Sequence, residues 1–372
     1  MGGVRGFCQR RKGRLLISKS VVLVVPGRLD TLTGGYGYDR RIVAGLAARG
    51  WTVTVRELHD SFPFPTPEAR AEARGVLASI GDGALVLLDG LAFGVLPGEA
   101  EREAGRLRLV ALVHHPLAAE AGLSVADANL LETDERRALA TVQRVVVTSR
   151  RTAAALARYD VGQDRISVVE PGTDPAPLAV GSTGGPLHLL CVASLVPRKG
   201  HDVLFRALAS IPYRGWRLTC VGSLDRPGAM AERLRTLART LGLEDHITFA
   251  GEADGSRLQA HYASADVFVL PTSYEGYGMV VAEALAHGLP VISTHTGAIA
   301  ELVGDQAGIL VSPGDVKALA NALSQVLVND NDGDAVRVRE RLARGARQVR
   351  DTLPTWDEAV RKMDDVLSGV SG

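Results

Sequence analysis

Twelve short apolar runs alternate with helix-period segments, and this alternation constrains the chain more than any other feature. In the first half the strand candidates are Val21–Val25, Thr52–Arg56, Leu85–Leu88, Leu109–Val113, Val145–Thr148 and Ile166–Val169. In the second half they are Leu187–Val192, Arg217–Val221, Ile247–Ala250, Val267–Leu270, Pro290–Thr294 and Gly308–Val311. Between them lie helical patterns such as Met230, Leu234, Leu237 and Leu241, spaced to line one face. Parallel strand pairs need a crossover long enough to hold a helix, so the pattern predicts an α/β chain with parallel sheets. Two similar sets of six strands predict two Rossmann-like domains in tandem. Ligands of such sheets bind outside the carboxyl ends of the strands, which is where functional side chains should collect.

The 372 residues suffice for roughly two domains, each with its own core. Lys plus Arg and Asp plus Glu both number 42, and zero net charge argues against a dedicated nucleic-acid binder. Cys8, Cys191 and Cys220 show no paired spacing, so neither a disulfide framework nor a zinc site is expected, and a reducing cytoplasmic compartment fits. No apolar run approaches the roughly 18 residues of a membrane span. Residues 1–18, which include Arg10-Arg11-Lys12-Gly13-Arg14, read as a basic, disordered arm rather than a signal peptide, because Lys19 interrupts the apolar stretch that follows. A solvated tail is the expectation for this arm, and peripheral contact with anionic lipid at the inner face of a membrane is the alternative. Proline and glycine density between Asp174 and Pro186 marks a linker and a hinge. The expected division is 19–178, 179–350, and a terminal segment 351–372 whose helix opens on a Thr355/Glu358 capping box.

The stretch Tyr274-Glu275-Gly276-Tyr277-Gly278-Met279-Val280-Val281-Ala282-Glu283 follows the apolar run Val267–Leu270 and Pro271. Its glycines lead into a helix predicted over Met279–His287, closed by Gly288 and Pro290. A glycine-bearing loop thus delivers backbone N–H groups at a helix N-terminus, where the dipole and unpaired donors favour a phosphate. Glu275 and Glu283 flank that site, placed to grip hydroxyls. Such an arrangement suits a nucleotide-sugar. A second loop, Ser194-Leu195-Val196-Pro197-Arg198-Lys199-Gly200, puts two cations after a strand end. They can neutralise charge that builds on a diphosphate leaving group.

With the E-x7-E spacing of Glu275 and Glu283, the chain resembles the retaining GT-B glycosyltransferases of the "glycosyl transferases group 1" family, from about Val21 onward. The resemblance implies two Rossmann-like domains facing across a cleft, an N-terminal acceptor side and a C-terminal donor side. It assigns Lys199 to the diphosphate. Here the sequence departs from the family, which more often has Gly-Arg where this chain has Ala193-Ser194, and Arg198 is the natural substitute. Gly34-Gly35-Tyr36-Gly37 is a poor dinucleotide fingerprint but is similar to the family's glycine turn, whose amides approach the donor from the opposite domain. His114 and His115 leave a strand end before Pro116, and the family places such a histidine against the sugar; His114 aligns better. Gly276, Tyr277, Gly278 and Met279 would line the phosphate, Glu283 the ribose, and backbone near Gly222, Gly251 and Glu252 the base, with Arg257 and Leu258 just beyond. Thr296-Gly297 and Glu301 match the family's glycine and acid after the next strand.

The resemblance implies transfer of a hexose-type sugar from a UDP- or GDP-sugar, with retention, to an unidentified hydroxyl on a glycan, lipid or small molecule. The catalytic set would be Lys199, Arg198, Glu275 and His114, with no metal, because no Asp-x-Asp pair stands where it would help, and no cofactor beyond the co-substrate. A nucleotide-sugar epimerase, a phosphorylase or a silent binding subunit could share the fold. A nicotinamide oxidoreductase is disfavoured by the poor glycine fingerprint.

Overall fold

The computed structural model describes residues 19–224, 230–327 and 333–371; the basic arm 1–18, with Cys8, lies outside them. Among the described residues twelve strands form two six-stranded sheets. The first contains β1 (Ser20–Pro26), β2 (Thr52–Leu58), β3 (Leu85–Asp89), β4 (Arg108–Val113), β5 (Arg144–Val147) and β6 (Ile166–Val168). The second contains β7 (Leu187–Val192), β8 (Trp216–Val221), β9 (Ile247–Gly251), β10 (Val267–Leu270), β11 (Val291–Thr294) and β12 (Gly308–Val311). Each predicted run is a strand, with ends shifted by two residues at most. The last shift in the second sheet has a plain cause, since Pro290 has no N–H for a ladder and its carbonyl instead accepts from Phe268 N at 2.9 Å.

Every strand pair is parallel. The order in the first sheet is β2-β1-β3-β4-β5-β6, and in the second β12-β11-β10-β7-β8-β9. The chain reverses its winding direction between β1 and β3 in the first sheet and between β7 and β10 in the second. At such a switch point the loops leaving two neighbouring strands diverge and open a crevice at their carboxyl ends.

Strands buried on both faces read as nearly continuous apolar runs, and β3 (Leu85, Val86, Leu87, Leu88) and β10 show this pattern in full. The second sheet carries one large core, which includes the free cysteines Cys191 and Cys220. The first sheet carries a core on each face. One of these is completed by the far end of the chain. The helix Trp356–Ser371 buries Ala359, Val360, Met363 and Leu367 against Val21, Leu23, Ile42 and Leu46. Its N-terminus has the predicted reciprocal cap, with Thr355 N donating to Glu358 Oε2 at 2.9 Å and Glu358 N to Thr355 Oγ1 at 3.3 Å. Gly45 makes the approach possible, because a side chain there would collide with Val360.

Gly34–Gly37 differ from expectation. They form no separate turn but the first turn of the helix Gly34–Ala48, capped by Thr33, whose hydroxyl accepts from Tyr36 N. The hydroxyl cap and the Gly37 N to Thr33 O bond at 2.8 Å supply the local energy that three glycines in a helix start would otherwise lose.

Candidate active site

The second sheet's switch point brings the two predicted loops together. After β7 the chain runs through Ala193–Val196 into a single turn, Pro197–Lys199, ended by Gly200 at φ +70°. Only glycine suits that position, since a Cβ would also strike the carbonyl of Pro271 just after β10. Further contacts at Arg198 O lock the loops. Ser273 N donates to Arg198 O at 2.8 Å. The Thr272 hydroxyl, fully buried, lies within bonding distance of Arg198 O (3.1 Å) and Tyr274 O (2.9 Å).

Glu275 Oε1 is the centre of the cluster. Lys199 Nζ forms a very short ion pair with it, and Arg198 Nη1 lies 3.5 Å away. Burial alone would raise the Glu275 carboxyl, but Lys199 and Arg198 outweigh it and hold it below its ordinary value. Arg198 also donates from Nη1 to Tyr274 O at 2.7 Å and from Nε to Glu120 Oε1 at 3.0 Å. Glu120 follows the short turn Leu117–Ala119 beyond β4, so this bond spans the two sheets. His115 Nε2 lies 3.5 Å from the other oxygen of Glu120. Against burial, His115 and Arg198 draw the Glu120 carboxyl down to about 2.

The loop after β11 braces Glu275 from behind. Gly297 (φ +51°) packs so closely on the Glu275 carbonyl that no side chain fits, and Thr296 Oγ1 donates to Ser273 O at 3.0 Å. Glu301 is occupied by Arg151 Nε at 2.9 Å, a second ion pair between the sheets. Gly276 lies against the backbone of His114, where an added Cβ would meet the carbonyl, and 3.6 Å from His115 Cβ. Gly35 faces the His114 ring, its Cβ position 3.5 Å from Cδ2. Met279 Cε comes within 3.9 Å of the corresponding point at Gly37.

Lys199, Arg198, Glu275, Gly276, Met279, His114, His115 and Gly35 therefore share one cleft. Gly278 (φ +97°) starts the helix Met279–Ala286 without a side-chain cap, which leaves its first N–H groups without a side-chain partner. Gly34 stands at the start of the opposing helix with nothing near its Cβ position. Gly222 and Gly251 form a row along the ends of β8 and β9, joined by Gly222 N to Gly251 O at 2.9 Å. Glu252, Arg257 and Leu258 follow Gly251, the latter two on the helix Gly255–Ala263.

Two placements alter the reading of single residues. Tyr277 is buried among Ala282, Ala298, Leu302 and Leu353, with a hydroxyl that has no partner among the described residues. Glu283 is bonded not to the cationic cluster but to Tyr262 Oη, which donates at 2.8 Å. Burial raises the Glu283 carboxyl to about 7.

Three acids in the cleft were not singled out from the sequence. Glu120 stands in a loop. Asp39 is a lone acid inside a helix and Asp89 the polar end of an apolar strand, yet both lie beside His114 Nε2, at 3.3 and 3.6 Å. The sequence offers no Asp-x-Asp pair, but the fold brings two separate acids to His114. Asp39, Asp89 and His114 are close enough that their ligand atoms could surround one ion. An acid closing β3 was the one legible signal, because the carboxyl ends of strands are where such sheets place function.

Two parallel six-stranded sheets facing each other across this cleft define the GT-B class. Solved structures agree: a sucrose-phosphate synthase from Thermosynechococcus elongatus superimposes with a TM-score of 0.78 over 94% of this chain and 98% of its own, at 24% identity. The family described as glycosyl transferases group 1 matches residues 179–349, and glycosyltransferase family 4 matches 40–177. A D-inositol 3-phosphate glycosyltransferase of Xylanimonas cellulosilytica is 32% identical over 73% of this chain and 70% of its own length. A GDP-mannose-dependent alpha-(1-6)-phosphatidylinositol monomannoside mannosyltransferase of Mycolicibacterium smegmatis is 29% identical over 99% of this chain and 95% of its own. The chain belongs to the glycosyl transferases group 1 family. It spans only about half the length of several other curated relatives, between 47% and 59%. No helix among the described residues is long and apolar enough to cross a membrane.

Proposed function

We propose that the chain is a retaining glycosyltransferase that moves a hexose-type sugar from a UDP- or GDP-sugar to a hydroxyl acceptor. The observation that carries this reading is the Arg198–Lys199–Glu275 cluster at the switch point of the second sheet, closed over by the His114–Glu120 loop of the first. In this reading Lys199 and Arg198 bind the donor diphosphate and stabilise the charge that grows on it as the glycosidic bond lengthens. The uncapped turn at Gly278–Met279 adds backbone donors to the same phosphates. Glu275, fixed by Lys199, accepts from the sugar hydroxyls, and His114 contacts the sugar from the opposite side. The E-x7-E partner Glu283 reaches the ribose once Tyr262 yields or shares it.

Front-side attack is the mechanism that the family resemblance implies: the leaving diphosphate takes the acceptor's proton, and the sugar keeps its anomeric configuration. The N–H groups and two cations supply the positive field without a divalent ion. The acceptor would be a polyol of the inositol phosphate or phosphatidylinositol type, in line with the names of the relatives in both groups.

The test is incubation with a panel of UDP- and GDP-sugars, in EDTA, with and without inositol phosphate or phosphatidylinositol acceptors. Release of nucleoside diphosphate from one donor, stimulated by acceptor, with NMR of the product's anomeric proton showing retention, is expected. No turnover with any donor, or an inverted product, refutes the reading.

A further inference from the structure

His114 sits in an unusual electrostatic setting, and its geometry says more than its place in the cleft. Its Nε2 is buried 3.3 Å from Asp39 Oδ1 and 3.6 Å from Asp89 Oδ2. Asp39 is 1% exposed and Asp89 4%. Neither oxygen of Asp39 has a hydrogen-bond partner among the described residues. A buried carboxylate without donors is costly unless an opposite charge stands beside it. Asp89 is anchored differently, since its Oδ1 caps the short helix Gly90–Phe93 by accepting from Leu91 N at 2.7 Å, leaving Oδ2 for the imidazole. Asp39 is carried by the helix Gly34–Ala48, and Asp89 by the end of β3, so the switch point of the first sheet aims both at one ring nitrogen.

The titratable groups facing the ring are these two acids and Tyr38, whose ring meets it edge-on at 5.5 Å. Thr148 contributes only a hydroxyl bond to the His114 carbonyl, and Gly276 only backbone. The histidine side chain is 20% exposed although Nε2 is buried, and Nδ1 makes no bond to the described residues. With Nε2 buried and Cδ2 against Gly35, the ring's exposure falls to its Nδ1–Cε1 edge.

We propose that Asp39 and Asp89 are positioning residues that hold His114 as a doubly protonated imidazolium, Nε2–H directed at the carboxylate pair and Nδ1–H presented to the cleft as a charged donor. The two carboxylates offset the ring's charge, so what the cleft gains is a fixed N–H donor where a neutral histidine would present Nδ1 as an acceptor. Burial opposes the charge, but Asp39 and Asp89 outweigh it and lift His114 to about 10. Ligand atoms held at about 2.0–2.2 Å from one ion would stand at similar separations, so a bound metal is the rival occupant that elemental analysis decides. The consequence for transfer rests on the proposed function; the charge state does not.

The test reads the two separately. In histidine-labelled wild-type protein, 15N NMR should show His114 (assigned through His114→Gln) in the imidazolium pattern from pH 6 to 9. In Asp39→Asn its transition should move down at least tenfold in proton affinity, into the range below pH 9. Asp89→Asn keeps the helix cap and should shift the transition the same way, which covers the case of a misfolded Asp39 variant. Turnover of Asp39→Asn should fall as pH rises through its new transition at unchanged donor KM, while that of the wild type does not. A neutral-imidazole pattern in the wild type at pH 7.5, an unmoved transition in both variants, or one equivalent of tightly bound metal by elemental analysis overturns the proposal. Should no donor be turned over at all, the NMR titration still decides it.

Discussion

Substituting Gly276 with alanine isolates the contact between the two sheets from everything else in the site. Gly276 is not among the positive-φ glycines, so alanine meets no backbone strain there, in contrast to Gly278 at +97°. The new methyl would instead lie 3.1 Å from the carbonyl carbon of His114, and nearer still to its oxygen. Carbon atoms in contact settle at about 3.5–4.0 Å, so the loop and the His114 backbone must part by roughly 1 Å. The separation falls between Glu275 on one side and His114 on the other. A misplacement of about 1 Å can cost ~10²-fold in rate, or about 2.7 kcal/mol of activation free energy. The cores of the two sheets are separate clusters, so stability should change by less than about 1 kcal/mol. Steady-state kinetics with a donor identified by the nucleotide-sugar panel, together with a thermal melt, form the assay. Calorimetry should find nucleoside diphosphate binding weakened far less than turnover, since Lys199 and the start of the Met279–Ala286 helix stay in place while the Gly276 loop shifts. Turnover within threefold of the wild type in a folded variant would show that the close approach at Gly276 does not matter for transfer.

Lys199→Ala should lower turnover by more than Arg198→Ala, with losses of ~2–4 kcal/mol, because Lys199 bonds Glu275 directly whereas Arg198 is shared among Glu120, Tyr274 and Glu275. Intact transfer in Lys199→Ala would place the diphosphate elsewhere. Glu120→Gln removes a carboxylate bound to Arg198, so nucleoside diphosphate should bind several-fold more tightly by calorimetry; weaker binding would make Glu120 part of the donor site instead. Glu283 titrates at about 7 when folded against an ordinary 4.5, so the folded state keeps a proton that the unfolded state has lost between those values, and stability falls as pH rises through that window. Glu283→Gln should therefore gain on the wild type, on the order of 3 kcal/mol between pH 4.5 and 8 in denaturant melts, whereas parallel pH dependences would show that Glu283 is ionised at little cost.

The strands were legible because a parallel strand covered on both faces must be apolar along its whole length, and runs such as Val267–Leu270 have no other economical fate. The terminal cap at Thr355 and Glu358 was legible for a local reason, since both bonds lie within four residues. Lys199 and Glu275 were singled out from loop chemistry at strand ends and from the family resemblance, and the sheet order explains why those two loops meet. Gly34–Gly37 misled because glycine density reads as a turn, whereas the Thr33 hydroxyl makes a helix start of it. Asp39 and Glu120 were invisible for a different reason. Each acquires its meaning from a partner far along the chain, His114 for one and Arg198 for the other, and a single acid in a helix or loop has no local spacing to betray it.

The charges of the cleft fit together when counted without a ligand. Arg198 and Lys199 face Glu275 and Glu120, two cations against two anions, so the donor side is neutral as it stands. A diphosphate entering beside Lys199 cannot remove Glu275, which is pinned by Lys199, Gly297 and the loop bonds to Arg198 O. Glu120 is the partner that can leave, being 40% exposed and placed on a loop of the opposite sheet. Its departure leaves the donor side with one net positive charge and frees His115 as well. On the proposed function, donor binding then exchanges one anion for another at Arg198, at small desolvation cost, because the guanidinium is already mostly buried and already paired. The same exchange releases the bond that ties the first sheet to the second through Glu120, so the arrival of the donor and the freedom of the acceptor side are coupled through a single carboxylate.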